Sequence, residues 1–191
     1  MKLEIVVVAC NRRKPLIVSH LVGKPYKIHY TEDYILPSGF KPHPDMVGVV
    51  LNHQGAYRCF RGHQDAMTIS IADNILLLED DAVPNNEFWF EKIADAIPLL
   101  DSFEIVCFHG RQRIHPFENV PDYPEYIRPV GLPIWMVATL AYMIRKESVE
   151  KFLAHQYYGK PWDLTIYQHH SFCVLEKSIF NHDVSEGSLI D

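Results

Sequence analysis

Several things that would settle the class of this sequence at once are missing from it. The four cysteines, Cys10, Cys59, Cys107 and Cys173, are scattered, with no Cys-x-x-Cys pair. That spacing argues against a zinc knuckle. Each stands in an apolar stretch, which reads as a small buried hydrophobe in a reducing compartment. No apolar run approaches the roughly 20 residues that span a bilayer. The apolar stretch after Met1 has strand length, without the longer core and small-residue cleavage site of a secretory leader, so a cytoplasmic location is expected. A phosphate loop of the GxxxxGK[ST] type is absent, which counts against ATP or GTP hydrolysis. Internal repeats and long linkers are also absent. Basic charge is in deficit: 18 Lys+Arg stand against 24 Asp+Glu, a formal net charge of −6. A general nucleic-acid binder carries the opposite balance, although Arg111, Arg113, Arg128 and Lys160 could still build a local basic face.

What is present is an ordinary globular composition. The 191 residues are 48% hydrophobic and 22% charged, enough to bury the core of a single domain over 1–191. Leu3 to Cys10 is continuously apolar and β-branched, the pattern of a strand covered on both faces. Asn11-Arg12-Arg13-Lys14-Pro15 follows as a helix cap and basic cluster, then a short helix from Leu16 to Val22 and a second strand from Tyr26 to Tyr30. This β-α-β opening points to an α/β fold with a mostly parallel central sheet flanked by helices. Further along, the pattern predicts a strand at Val47 to Leu51 and a helix from Ala56 to Ile71. Cys59, His63, Ala66, Met67 and Ser70 share one face of that helix. A buried strand, Ile75 to Leu78, runs into Glu79-Asp80-Asp81. A helix from Glu87 to Leu100 and a strand from Phe103 to Phe108 come next. Arg111 to Pro133, rich in Pro, Arg, His and Tyr, reads as an irregular substrate loop. A strand at Val137 to Ile144, helices at Lys146 to His155 and from Pro161 to His169, and a strand at Cys173 to Phe180 complete the pattern.

Glu79-Asp80-Asp81 carries the chemistry. In open α/β sheets ligands bind outside the carboxyl ends of the strands. Adjacent carboxylates raise one another's pKa unless something compensates. A hard divalent ion, Mg²⁺ or Mn²⁺, does so and is commonly shared with substrate phosphates. Strand alternation would send Glu79 and Asp81 to one side and Asp80 to the other. The competing reading is a solvated acidic turn that caps the next helix.

The order Gly55, Cys59, Gly62-His63, then an apolar strand ending in Glu79-Asp80-Asp81, resembles glycosyltransferase family 25, the lipooligosaccharide and collagen galactosyltransferases. Gly62 replaces the Ser that usually precedes the His. Ile105 to Phe108, Ala141 to Ile144 and Pro161-Trp162-Asp163 resemble later family segments, so the likeness spans Gly55 to Asp163. The family's Asn-Leu…Asp-Arg opening is reduced here to Asn11-Arg12-Arg13.

The resemblance implies a GT-A fold, with a nucleotide-sugar and metal half at 1–110 and an acceptor half at 111–191. It implies a metal-dependent, inverting transfer of a hexose from a nucleotide-diphosphate donor, a UDP-sugar above all. Glu79 and Asp81 would hold Mn²⁺ or Mg²⁺, with Asp81 the direct ligand and His182 a third position from the end of the last strand. Asn11, Arg12, Arg13 and Asp80 would face the donor, and Asp163 would take the proton of the acceptor hydroxyl. Arg12 and Arg13 read equally as a solvated surface run, and Asp163 as a residue of a helix first turn. His63, sharing a face with Cys59 and Met67, reads as a hydrogen-bonded interior histidine that supports the site. His169 and His170 read as solvent-facing. The acceptor is a glycan, a lipid-linked saccharide or a protein hydroxyl, with a modified nucleobase as a minor alternative. Two other readings use the same carboxylates: a metal-dependent phosphohydrolase or nucleotidyltransferase, and a nucleotide-sugar binding module without turnover.

Overall fold

The computed structural model describes residues 2–9, 15–47, 50, 52–109, 117–130 and 139–182. The central strands form where the sequence is most continuously apolar. β1 (Leu3–Ala9) and β3 (Asn74–Glu79) pair in parallel, with β2 (Tyr26–Tyr30) on the other side of β1. β4 (Ala82–Pro84), β5 (Ile105–Cys107), β6 (Phe117–Val120), β7 (Tyr123–Pro129), β8 (Ala141–Arg145), β9 (Phe172–Leu175) and β10 (Phe180–His182) follow. Eight of these form one mixed sheet in the order β2-β1-β3-β8-β5-β9-β7-β6. Only β8 and β7 run against the rest. Strands from 1–110 and from 111–191 therefore share a single sheet.

Alternation along the strands divides the core into two layers. Ile5, Val7, Leu76, Leu78, Ala141 and Met143 face Trp89 and Ile93 of α2 (Trp89–Asp95) and the 3₁₀ turns at Leu16–His20 and Ile97–Asp101. Val6, Val8, Ile75, Leu77, Tyr142 and Ile144 face α1 (His53–Ile69), α3 (Val149–Leu153) and α4 (Trp162–His169). Asn52 caps α1, its side chain accepting from the Gly55 N–H at 2.9 Å, so the helix begins two residues before Gly55.

Three expectations are corrected. Arg111 to Pro133 is not irregular throughout: β6 and β7 form a hairpin on the sheet edge, turned at Pro121-Asp122, where Asp122 adopts φ 64°. The expected helix from Glu87 to Leu100 stops at Asp95 and restarts as a 3₁₀ turn at Ile97, because Pro98 lacks an N–H and disfavours helical backbone before it. The expected strand at Cys173 to Phe180 is two: β9 in the main sheet, and β10, which pairs antiparallel with β4. Of the expected strand at Val47 to Leu51, Val47 and Val50 have no strand pairing, and 48, 49 and 51 lie outside the described residues. Among the described residues no helix is long and apolar enough to cross a membrane.

Candidate active site

The chain leaves β1 for β2 on one side and returns to β3 on the other, so the order reverses between β1 and β3. A crevice opens at such a reversal, outside the carboxyl ends of the two strands. β3 ends there with Glu79, in register with Val8 of β1. Two links close the crevice around the acidic residues. The Asp80 carbonyl accepts from the Leu16 N–H at 2.8 Å. β10 sets His182 opposite Ala82, one residue past Asp81. The chain therefore brings Glu79, Asp80, Asp81 and the backbone of His182 to one end of the sheet. Asn11, Arg12 and Arg13, which follow β1 in sequence, lie outside the described residues. The expected alternation across the triplet does not hold: β3 stops at Glu79, and Asp80-Asp81 form a turn. Asp80 is buried, 8% exposed.

Glu79 shares the sheet face of Ile75 and Leu77, toward α1 and α4. Its Oε1 accepts from Thr139 Oγ1 at 2.5 Å and lies 3.3 Å from His63 Nε2. His63, fully buried on α1, has its Nδ1 3.0 Å from the Tyr142 hydroxyl, which also accepts from Trp162 Nε1 at 2.9 Å. The donors present fix the direction of this chain. An indole nitrogen only donates. The hydroxyl proton of Tyr142, itself fully buried and held well above the usual tyrosine pKa range by burial, then has His63 Nδ1 as its acceptor. His63 consequently carries its proton on Nε2 and donates it to Glu79. Trp162, Tyr142, His63 and Thr139 thus polarise toward one carboxylate oxygen and hold Glu79 oriented. His63 is the supporting interior residue expected of it.

Asp163 stands in the first turn of α4, beside Trp162, whose ring stacks on His63 at 6.0 Å and 15°. Burial pushes the Asp163 carboxyl up to about 6, and the charge of Glu79 adds in the same direction. Glu79 and an Asp163 whose pKa is raised toward neutrality therefore lie close enough to interact. Gly62 lets α1 come this close. A Cβ there would sit 2.3 Å from Thr31 Cγ2 and 3.3 Å from Val8 Cγ1, so the Ser of the family pattern has no room here.

Among the described residues, one group of three metal-capable donors lies within 4.8 Å of one another: Cys59, His63 and Glu79. The hydrogen-bond directions disfavour an ion there. Binding through Nε2 would move the His63 proton to Nδ1 and leave the buried Tyr142 hydroxyl proton without its acceptor, at a cost of about 1–3 kcal/mol. The trio reads as the anchor of Glu79. Cys107 and Cys173 are buried, and burial pushes the Cys107 thiol up to about 12, so they behave as core residues; Cys10 lies outside the described residues. The sequence does not mark Thr139 and Tyr142 as site residues. The available signal was a tyrosine inside the otherwise apolar run Ala141 to Ile144, because a buried hydroxyl needs a partner.

No protein-family model and no curated protein matches this chain. Among solved structures it is similar to S. aureus TarS 1–349, with a TM-score of 0.50 and 11% identity over 97% of this chain and 61% of that one. A glycosyltransferase involved in the glycosylation of the major capsid of PBCV-1 gives 0.49 and 13% over 94% and 91%. TarS 1–349 in complex with UDP-GlcNAc gives 0.45 and 9% over 94% and 58%. At these identities the likeness to TarS is one of fold. This chain spans about three fifths of TarS 1–349.

Proposed function

We propose that this chain is a GT-A glycosyltransferase that moves a hexose from a nucleotide-diphosphate donor, a UDP-sugar, to an acceptor hydroxyl with inversion. The observation that carries the proposal is the position of Glu79-Asp80-Asp81 at the carboxyl end of β3, beside the reversal of strand order. Nucleotide ligands bind at that place in α/β sheets. Membership of family 25 belongs to the proposal and rests on the Cys59, His63 and Glu-Asp-Asp spacing.

In this reading Mn²⁺ or Mg²⁺ is held chiefly by Asp81, with Glu79 and His182 as further ligands, because one Glu79 oxygen already serves Thr139 and His63. The ion supplies a Lewis acid for the charge that grows on the diphosphate leaving group. Arg12 and Arg13 add positive charge for the diphosphate, and Asn11 and Asp80 position the nucleotide. Asp163 accepts the acceptor's proton as its oxygen attacks the sugar carbon; a pKa near 6 leaves it deprotonated and still basic at neutral pH. The acceptor is a glycan, a lipid-linked saccharide or a protein hydroxyl.

The test is thermal stability against a panel of nucleotide sugars, with and without Mn²⁺, in wild type and Asp81→Asn. A ligand at a hundredfold excess over its Kd stabilises the folded state by about 2.7 kcal/mol. A Mn²⁺-dependent shift with one donor, lost in Asp81→Asn, supports the reading. A shift indifferent to metal and to Asp81, or none at all, overturns it. Binding without turnover of that donor toward any acceptor or water identifies a binding module instead.

A further inference from the structure

The ends of α3 and α4 bring two imidazoles together edge to face, at 5.1 Å and 85°. His155 follows α3 and His170 caps α4, and their Nε2 atoms are 2.8 Å apart. The expectation that His170 faces solvent is corrected: its side chain is 5% exposed and stacks on Phe152 at 4.1 Å and 19°. Its Nδ1 lies 3.3 Å from Glu104 Oε2, and Glu104 is paired through Oε1 with Lys151 at 2.6 Å. A carboxylate only accepts, so His170 Nδ1 donates to Glu104 and Nε2 carries the lone pair. His155 Nε2 must then supply the proton between the two rings. A carboxylate behind an imidazole, fixing which nitrogen faces outward, is the arrangement that supports metal-ligating histidines.

We infer that His155 and His170 bind a divalent transition-metal ion of tetragonal preference, Cu²⁺ or Ni²⁺, which sits to one side of the line between their Nε2 atoms, the His155 proton moving from Nε2 to Nδ1. The separation selects the geometry. With bonds of about 2.0–2.1 Å, two nitrogens 2.8 Å apart subtend about 85° at the ion, against about 3.3 Å for a tetrahedral pair. That is a cis pair of a square-planar or octahedral ion, which favours Cu²⁺ or Ni²⁺ over tetrahedral Zn²⁺. The chain around His155 and the ring of His170 are held beforehand. Gln64 Nε2 donates to the carbonyls of Phe152 at 3.1 Å and His155 at 2.9 Å, pinning the chain that carries His155. Phe152 and Glu104 hold His170. The exposed His169 ring, 5.1 Å from that of His155, is the nearest further donor, and water completes the shell. As at Cys59, His63 and Glu79, one ring, here His155, carries a proton on the nitrogen that would bind, but His170 already presents its Nε2 lone pair.

The test is titration of the full chain with Cu²⁺ and, in parallel, Ni²⁺ and Zn²⁺, followed by calorimetry and by the nitrogen hyperfine pattern of the Cu²⁺ electron-spin resonance. Wild type is expected to bind one Cu²⁺ showing two equatorial imidazole nitrogens, more tightly than Zn²⁺. His155→Gln, at the half-buried position, is expected to lose the two-nitrogen signal. Glu104→Gln is expected to weaken binding 10–100-fold while leaving the fold intact by circular dichroism. His20→Gln, remote in sequence, should change nothing. A two-nitrogen signal and affinity unchanged in both His155→Gln and Glu104→Gln, or no two-nitrogen signal in wild type, overturns the site.

Discussion

Asp163, the base of the proposed reaction, sets that proposed role against stability. Its carboxyl titrates near 6 in the fold against 3.8 in the unfolded chain. Between those values the folded state binds more protons, so stability falls as pH rises through this window and stays lower above it. Asp163→Asn is therefore expected to raise stability at pH 7.5 by about 1–3 kcal/mol, with the gain vanishing below pH 4, as denaturant melts at both pH values will show. The same substitution is expected to abolish transfer while sparing donor binding, and wild-type kcat/KM should climb with pH to a plateau above about 6. A variant that keeps its activity removes Asp163 from the base role. Tyr142 is the second residue to change. Tyr142→Phe deprives Trp162 Nε1 of its acceptor and His63 Nδ1 of its donor. The expected cost is about 1–3 kcal/mol, together with a change in the ¹⁵N shifts of His63 away from the neutral Nε2–H form.

At the scale of elements, the contact of α1 with β1 and β2 depends on Gly62. Gly62→Ser is expected to destabilise the fold by about 1–3 kcal/mol, since its Cβ meets Thr31 Cγ2 at 2.3 Å. Thr31→Ser removes that methyl group and should recover part of the loss. Additive effects in the double mutant would show that the two residues do not clash. Elements differ in how far they could be read from sequence. β1, β3 and α1 were legible because burial on both faces or along one stripe leaves a continuous apolar signature, and the edge strand β2, half-buried or exposed throughout, through its alternation alone. The β6–β7 hairpin was not. Its strands carry Glu118, Asn119, Pro124, Glu125, Arg128 and Pro129, and they lie at the outer end of the sheet, where Pro and charge are tolerated and the strand signal is lost. The Glu79 carboxylate stands out in the sequence as a candidate site residue, but its hydrogen-bond partners do not. Thr139 and Tyr142 lie 60 and 63 positions further along the chain, and pairing of β8 with β3 brings Tyr142 alongside. Nothing local announces such a contact.

For the whole molecule, the antiparallel β8 lies between the parallel group β2-β1-β3 and the parallel pair β5-β9. Strands paired on both sides and buried on both faces open only with global unfolding. Amides of β1, β3 and β8 are therefore expected to exchange slowest and those of β6 fastest. Comparable rates in β6 and β3 would contradict this order. The pairing of β4 with β10 reaches further still. The acidic turn is synthesised early, whereas the strand that zips against the residues just after it comes roughly a hundred residues later. At about 5–20 residues per second, that interval is on the order of 5–20 s of translation. During it the ribosome-bound chain presents an unfinished crevice and a β3 edge still waiting for β8, so the segment that follows the acidic turn gains its partner strand only once residues 180–182 have emerged.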